Sequence, residues 1–133
     1  MYHWQTIEDG VHCLHDSCRV YAVRGCDGAW LVINAGTGTA ADRLRELSPD
    51  GEVTVLLTHH FRDHTAGAAE FARHGARVAA PWPDREHLGG AQRAMRTKQV
   101  LFLYDLTWDH FGPIEPLPVD RWMMDYEQAT LAG

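Results

Sequence analysis

At residues 57–67 the chain reads Leu57-Thr58-His59-His60-Phe61-Arg62-Asp63-His64-Thr65-Ala66-Gly67. This short segment contains three of the nine histidines of the chain. It follows a β-branched apolar run, which is typical of a central strand covered on both faces, and it precedes a helical pattern. Ligands and catalytic groups collect at such a junction in α/β sheets, because the loops at the carboxyl ends of the strands converge on a crevice.

The residue types of this segment are those that bind zinc and other first-row metals at neutral pH. His59 and Asp63 are four residues apart and Asp63 is adjacent to His64, so these side chains are expected to border two neighbouring metal positions. The alternative interpretation is structural, with solvated histidines and with Asp63 as a helix cap. The ligand types are concentrated at one strand end rather than along a surface helix, which favours metal binding by His59, Asp63 and His64.

The surrounding sequence predicts an α/β (α+β) fold, a mixed sheet with helices packed on it. Residues 4–36 alternate between apolar runs and turn signals, which indicates an antiparallel meander. Strands and helices alternate after that point. The predicted elements are helices over 40–47, His64–His74 and from Asp84 onward, the last with Leu88, Ala91 and Met95 on one side, and strands over 53–57 and 77–80. Residues 119–133 form a strand or a short helix in this interpretation.

The central segment resembles the signature loop of the metallo-β-lactamase superfamily, Thr-His-x-His-x-Asp-His-x-Gly-Gly. Upstream, three segments are similar to the opening hairpins and the first helix entry of that family: Glu8-Asp9-Gly10-Val11, Val20-Tyr21-Ala22-Val23 and Leu31-Val32-Ile33-Asn34-Ala35-Gly36-Thr37-Gly38. The resemblance extends from about Trp4 to Pro81 and implies the first half of an αββα sandwich.

The resemblance also implies roles for the three candidate ligands. His59 matches the first ligand of one metal site, and Asp63 and His64 match ligands of the second. Asp63 is in addition the implied catalytic residue, since its counterpart orients or deprotonates the attacking water. The implied cofactor is one or two zinc ions, with iron or manganese as alternatives and loss of the metal as the remaining outcome. The implied substrate is a small molecule with an ester, thioester or lactam bond.

Three positions differ from the family pattern. Phe61 occupies the position of the second histidine and cannot bind a metal, while His60 is expected to point away, because successive residues of an extended segment face opposite sides. Asn34 replaces an aspartate that supports the ligands, and Ala66 replaces a glycine. We therefore expect an impaired metal site.

The family's remaining ligands, a histidine, a bridging aspartate and a final histidine, belong to a second half of the fold. His74, His87 and His110 follow the central segment, but none has the family's Pro-Gly-His turn. We therefore expect residues 1–133 to form a single domain that is the N-terminal part of a metallo-β-lactamase-like domain. The expected partner is a second copy of the chain or a complementary second half.

Composition excludes other classes of protein. The chain has 133 residues, with 12 Lys or Arg and 18 Asp or Glu, and its formal charge of −6 argues against a nucleic-acid binder. No apolar run approaches the roughly 20 residues that span a bilayer, so no membrane partner is expected. The N-terminal residues lack the features of a secretory signal, and three cysteines do not form a disulfide framework, which indicates a cytoplasmic location.

Two hypotheses follow. The first is a truncated metal-dependent hydrolase whose isolated chain binds metal weakly and hydrolyses little. The second is a non-catalytic binding or assembly module that keeps the fold, with the ring of Phe61 filling the space of a metal ligand.

Overall fold

The computed structural model describes residues 2–47, 50–90 and 115–133. Its strands are β1 Gln5–Glu8, β2 Val11–His15, β3 Arg19–Arg24, β4 Trp30–Ile33, β5 Val53–Leu56, β6 Arg77–Pro81 and β7 Arg121–Met123. Its helices are α1 Thr39–Leu47, α2 Arg62–Thr65 and α3 Ala68–Arg73, and a 3-10 turn covers Trp82–Asp84. The strands form one sheet in chain order, antiparallel from β1 to β4 and parallel from β4 to β7. The predicted α/β fold with a mixed sheet is confirmed.

One face of the sheet carries the hydrophobic core. Val32, Val55 and Val78 are register partners on three neighbouring strands, and all three are fully buried. Leu44 of α1 and Phe71 of α3 belong to the same buried cluster, so both helices cover this face. Alternate strand residues point to one side of a sheet, and the helices bury that side at roughly 25 cal/mol per Å² of apolar area removed from water.

The helix predicted from His64 to His74 is divided in two. A turn at Ala66–Gly67 separates α2 from α3. At this turn the N–H of Gly67 donates to the carbonyl oxygen of Gly36 at 2.8 Å. A Cβ on Gly67 would lie 2.1 Å from the backbone nitrogen of Gly38, so only glycine permits this approach of two chain segments. The division therefore follows from a contact between residues distant in sequence.

The third predicted helix is wrong over residues 84–90. Asp84 ends the 3-10 turn, and residues 85–89 continue as turns, because Gly89-Gly90 does not sustain a helix. Ala91, Met95 and His110 lie outside the described residues. For residues 119–133 the sequence left a strand or a short helix open, and the structure has a strand there, β7. Within residues 2–47, 50–90 and 115–133, the helices are all too short or too polar to cross a bilayer.

The carboxyl ends of β4, β5 and β6 meet at one edge of the sheet. Asn34 follows β4 by one residue, Thr58 follows β5 by two, and Trp82 follows β6 directly. Parallel strands bring the residues that follow them to the same edge, which places the segment 57–67 at the crevice that the sequence predicts.

Candidate metal centre

A chain of hydrogen bonds orients His59. Asn34 is buried at 7% exposure, and its Oδ1 accepts from the backbone N–H of Thr58 at 3.1 Å and from the Thr58 hydroxyl at 2.9 Å. Because two donors converge on it, this atom is the amide oxygen. The Thr58 hydroxyl, having donated its hydrogen to Asn34, accepts from Nδ1 of His59 at 2.8 Å. His59 therefore carries its proton on Nδ1, and the lone pair of Nε2 is available to a metal.

The surroundings of His59 also favour the neutral imidazole. Burial lowers the pKa of His59, and the neighbouring His64 lowers it further, against the opposing effects of Asp63 and Asp84. A metal ligand must be unprotonated at the binding nitrogen, so a lowered pKa extends the pH range in which His59 can bind.

The short helix α2 brings Asp63 and His64 beside His59. The rings of His59 and His64 lie 4.3 Å apart between centroids. Oδ1 of Asp63 and Nδ1 of His64 lie 3.0 Å apart and both are shielded from solvent, but among the described residues neither atom has a hydrogen-bond partner of proper geometry. The N-cap of α2 is Phe61, so Asp63 does not cap this helix as the alternative interpretation requires.

His60 and Phe61 lie edge to face, with 5.1 Å between ring centroids, and each has a further ring partner. The ring of His60 stacks on His87 with 4.0 Å between ring centroids. Its Nδ1 lies 3.2 Å from Oδ1 of Asp84. Phe61 lies edge-on to His59 at 4.8 Å and keeps 41% of its surface exposed. An apolar ring thus stands next to the candidate ligand His59.

The turn between β2 and β3 supports the segment 57–67 through a hydrogen bond. The Ser17 hydroxyl donates to the backbone carbonyl of Asp63 at 2.6 Å. Asp16 accepts from the backbone N–H of Ser17 and from the backbone N–H of Thr37, each at 2.8 Å. The N–H of Ala35 donates to the carbonyl of His64 at 2.8 Å. Sequence reasoning missed these positioning residues, since residues 15–17 have only the signal of a polar turn.

The donor set fits a metal ion in part. Shielded oxygen and nitrogen atoms without hydrogen bonds, together with a neutral imidazole of fixed tautomer, are what a cation of the zinc type requires. Within the described ranges, however, Asp42, Glu70 and His74 of α1 and α3 are the one group of three whose ligand atoms all lie within 4.8 Å of one another. His59, Asp63 and His64 instead form two adjoining pairs that share His64, and their ligand role stays a prediction.

Comparisons with solved structures find the same fold in other proteins. The chain is similar to the DIM-1 metallo-beta-lactamase in a crystal exposed to ceftazidime, with a TM-score of 0.64 and 9% identity over 98% of this chain and 55% of that one. It is also similar to the TMB-1 structure, with a TM-score of 0.54 and 17% identity over 65% of this chain and 46% of that one. The chain thus spans about half the length of these structures.

The sequence comparisons differ in outcome. None of the curated proteins matches the chain. The family model described as the metallo-beta-lactamase superfamily matches residues 15–125, which is most of the chain. Because this match covers most of the chain and the fold agrees with it, the chain belongs to the metallo-beta-lactamase superfamily.

Proposed function

We propose that the chain is the metal-binding half of a metallo-hydrolase that cleaves an ester, thioester or lactam bond in a small molecule. The observation that carries the proposal is the hydrogen-bond chain from Asn34 through Thr58 to His59, which leaves Nε2 of His59 ready to bind a cation. A surface histidine without a ligand role has no need of a fixed tautomer, and buried supports of this kind accompany metal-binding histidines.

Each residue has a distinct role in this proposal. His59 and His64 hold the ion, and Asp63 both holds it and orients the attacking water through its carboxylate. Zinc, when bound, supplies Lewis-acid polarisation of the scissile bond and lowers the pKa of water towards neutrality. Ser17 fixes the backbone of Asp63 through its 2.6 Å hydrogen bond, and this sets the point from which the carboxylate extends. Iron or manganese is the alternative metal.

The chain alone is proposed to be a weak metal binder and a poor catalyst. Phe61 supplies no ligand. The side chains of His59, Asp63 and His64 lie in two pairs that share His64 and do not surround one point, so they should bind zinc less tightly than the three protein ligands of a typical catalytic site. The structures to which the chain is similar are about twice as long. We therefore propose that a complementary half of the fold, or a second copy of this chain, completes the site.

Zinc titration of the metal-stripped chain tests the proposal. We expect weak binding that dialysis reverses, and at least a tenfold loss of affinity in His59→Ala, which removes one ligand. His15→Ala is the matched control, because His15 is an exposed histidine at the end of β2. Zinc that a chain carrying His74→Gln retains stoichiometrically through dialysis contradicts the impaired site, because His74 belongs to the other group of ligand atoms. Equal affinities of the two variants contradict the role of His59.

The second candidate function is a non-catalytic binding module, and the exposed ring of Phe61 beside His59 favours it. Phe61→His separates the candidates when metal uptake and hydrolysis of an activated ester are measured on the same preparation. Gain of both supports an enzyme that lost one ligand. Absence of any gain, in a variant with unchanged circular dichroism, supports the binding module.

Partner and location are part of the same proposal. Sedimentation velocity should show a dimer, or a complex when a complementary half is added, whereas a monodisperse monomer in both experiments contradicts the assembly. The formal charge of −6 supports a small-molecule substrate rather than nucleic acid. The three cysteines are free thiols, which supports a reducing compartment such as the cytoplasm.

A further inference from the structure

A second group of metal-ligating side chains lies on the two long helices, away from the segment 57–67. Asp42 is in the first turn of α1, Glu70 is on α3, and His74 is the C-cap of α3. Nε2 of His74 lies 2.9 Å from Oε1 of Glu70 and 3.5 Å from Oδ1 of Asp42. One ligand atom from each residue falls within 4.8 Å of the other two.

We propose that Asp42, Glu70 and His74 form a binding site for one divalent cation of the zinc type, which links α1 to α3. One imidazole and two carboxylates are nitrogen and oxygen ligands that suit zinc, cobalt and nickel, and three protein ligands leave a coordination position open. Glu70 and His74 are four residues apart, a spacing that puts both side chains on one helical face.

The ligands are held by a rigid framework. Leu44, two residues after Asp42, and Phe71, next to Glu70, are buried at 3% and 2% exposure. Because both helices are anchored in the core, the three side chains need little rearrangement to meet. The Arg73 guanidinium binds Oε2 of Glu70, which leaves Oε1 on the side of His74.

A cavity borders the site on the side of His74. It has a volume of about 310 Å³, and its lining includes His74 and the first residues of β5 and β6, Val53 and Arg77. The amino ends of these strands lie at the edge of the sheet opposite the candidate metal centre. The proposed cation site is therefore independent of the proposed hydrolase function.

Arg45 is the structural competitor of the cation. Its Nε donates to Nδ1 of His74 at 3.2 Å, so the proton of this imidazole is on Nε2, where it faces Glu70 and Asp42. A cation on Nε2 requires the neutral ring to carry its proton on Nδ1 instead, and Nδ1–H then meets the donor of Arg45. Arg45 must turn away when the cation binds. In Arg45→Gln, an amide oxygen can accept from Nδ1–H.

Zinc titration of the full chain carrying His59→Ala and His64→Ala tests the site without interference from the candidate metal centre. We expect one zinc ion per chain, a raised midpoint of thermal unfolding with zinc, and a loss of affinity of about tenfold or more on His74→Gln. Arg45→Gln should tighten binding several-fold. His15→Gln is the control on an exposed histidine of β2 and should leave the affinity unchanged.

Two results overturn the proposal. One is the absence of zinc binding to the double variant at millimolar zinc. The other is binding that His74→Gln leaves unaltered while both proteins keep the same circular dichroism. Either failure leaves the proposed hydrolase function standing if His59→Ala weakens zinc binding to the otherwise unchanged chain. Conversely, retention of binding by the double variant supports this site even if His59 proves irrelevant.

Discussion

Replacement of Asn34 should change both the stability of the fold and the tautomer of His59. Asn34 has φ of 64°, in the left-handed region where asparagine and glycine are tolerated better than other residues. Its side-chain oxygen accepts both donors of Thr58. Three substitutions separate these two properties. Asn34→Ala loses the acceptor and strains the backbone, Asn34→Gly loses only the acceptor, and Asn34→Asp keeps an acceptor.

The expected loss in the free energy of unfolding follows from the backbone conformation and the contacts of Asn34. The left-handed backbone costs alanine about 1 kcal/mol relative to glycine. A donor left without its acceptor costs about 1–3 kcal/mol when it is buried. Thr58 is exposed, so its groups recover water and the loss lies near the lower figure. We expect a loss of about 2 kcal/mol in the free energy of unfolding for Asn34→Ala and about 1 kcal/mol for Asn34→Gly.

The assays are urea denaturation and the ¹⁵N chemical shifts of the His59 ring. In the unchanged chain His59 carries its proton on Nδ1. Without Asn34 Oδ1, the Thr58 hydroxyl is free to donate to Nδ1, so the proton should move to Nε2 in the Ala and Gly variants and zinc affinity should fall. Asn34→Asp should keep the Nδ1–H tautomer. The reasoning is refuted if Asn34→Gly has the tautomer and the stability of the unchanged chain.

Three further predictions concern the metal-free chain. Burial and a neighbouring histidine lower the pKa of His59 below its ordinary value of 6.5, and an NMR titration of the ring should find this lower value. The contribution of the neutral ring to the free energy of unfolding should be complete above pH 6.5 and diminish as the pH falls below it. A titration at the ordinary value contradicts this prediction. Burial raises the pKa of the Cys18 thiol to about 11, so iodoacetamide should label Cys18 far more slowly than the exposed Cys26. Mass spectrometry measures the two labelling rates, and equal rates count against the described packing of Cys18. Gly67→Ala should lower the free energy of unfolding by about 1–3 kcal/mol, because its Cβ would lie 2.1 Å from a backbone nitrogen. Gly28→Ala is the control in open space, with only the cost of a left-handed backbone, and a smaller loss for Gly67→Ala than for this control contradicts the close contact.

Local sequence patterns were sufficient for the sheet. The apolar, β-branched run at Val53–Leu56 predicts a strand covered by neighbours, and β5 pairs with β4 and β6 in the middle of the sheet. The rings of His59 and His60 have different histidine partners, His64 and His87, which agrees with the expectation that successive side chains of an extended segment face different sides. Both inferences need only neighbouring residues and the periodicity of the backbone.

Contacts between distant segments explain what the sequence did not predict. The division of the helix after His64 depends on the approach of Gly67 to Gly36, and a single sequence contains no signal for that pairing. The same holds for Ser17, which lies 46 residues from the carbonyl it supports. A polar turn such as residues 15–17 has the same local pattern whether it faces solvent or braces a functional loop.

The order of the candidate metal centre bears on the proposal that a partner completes it. The relay from Asn34 fixes the ring of His59 and Ser17 fixes the backbone of Asp63, so both contacts stabilise the fold and also position candidate ligands before a metal binds. In the proposed function, the centre lacks ligands and not orientation. Because the existing ligands are already oriented, a partner that adds one or two more would gain their full binding energy, with little further cost in conformational entropy. Metal affinity should therefore rise steeply, and not merely additively, when the complementary half is present.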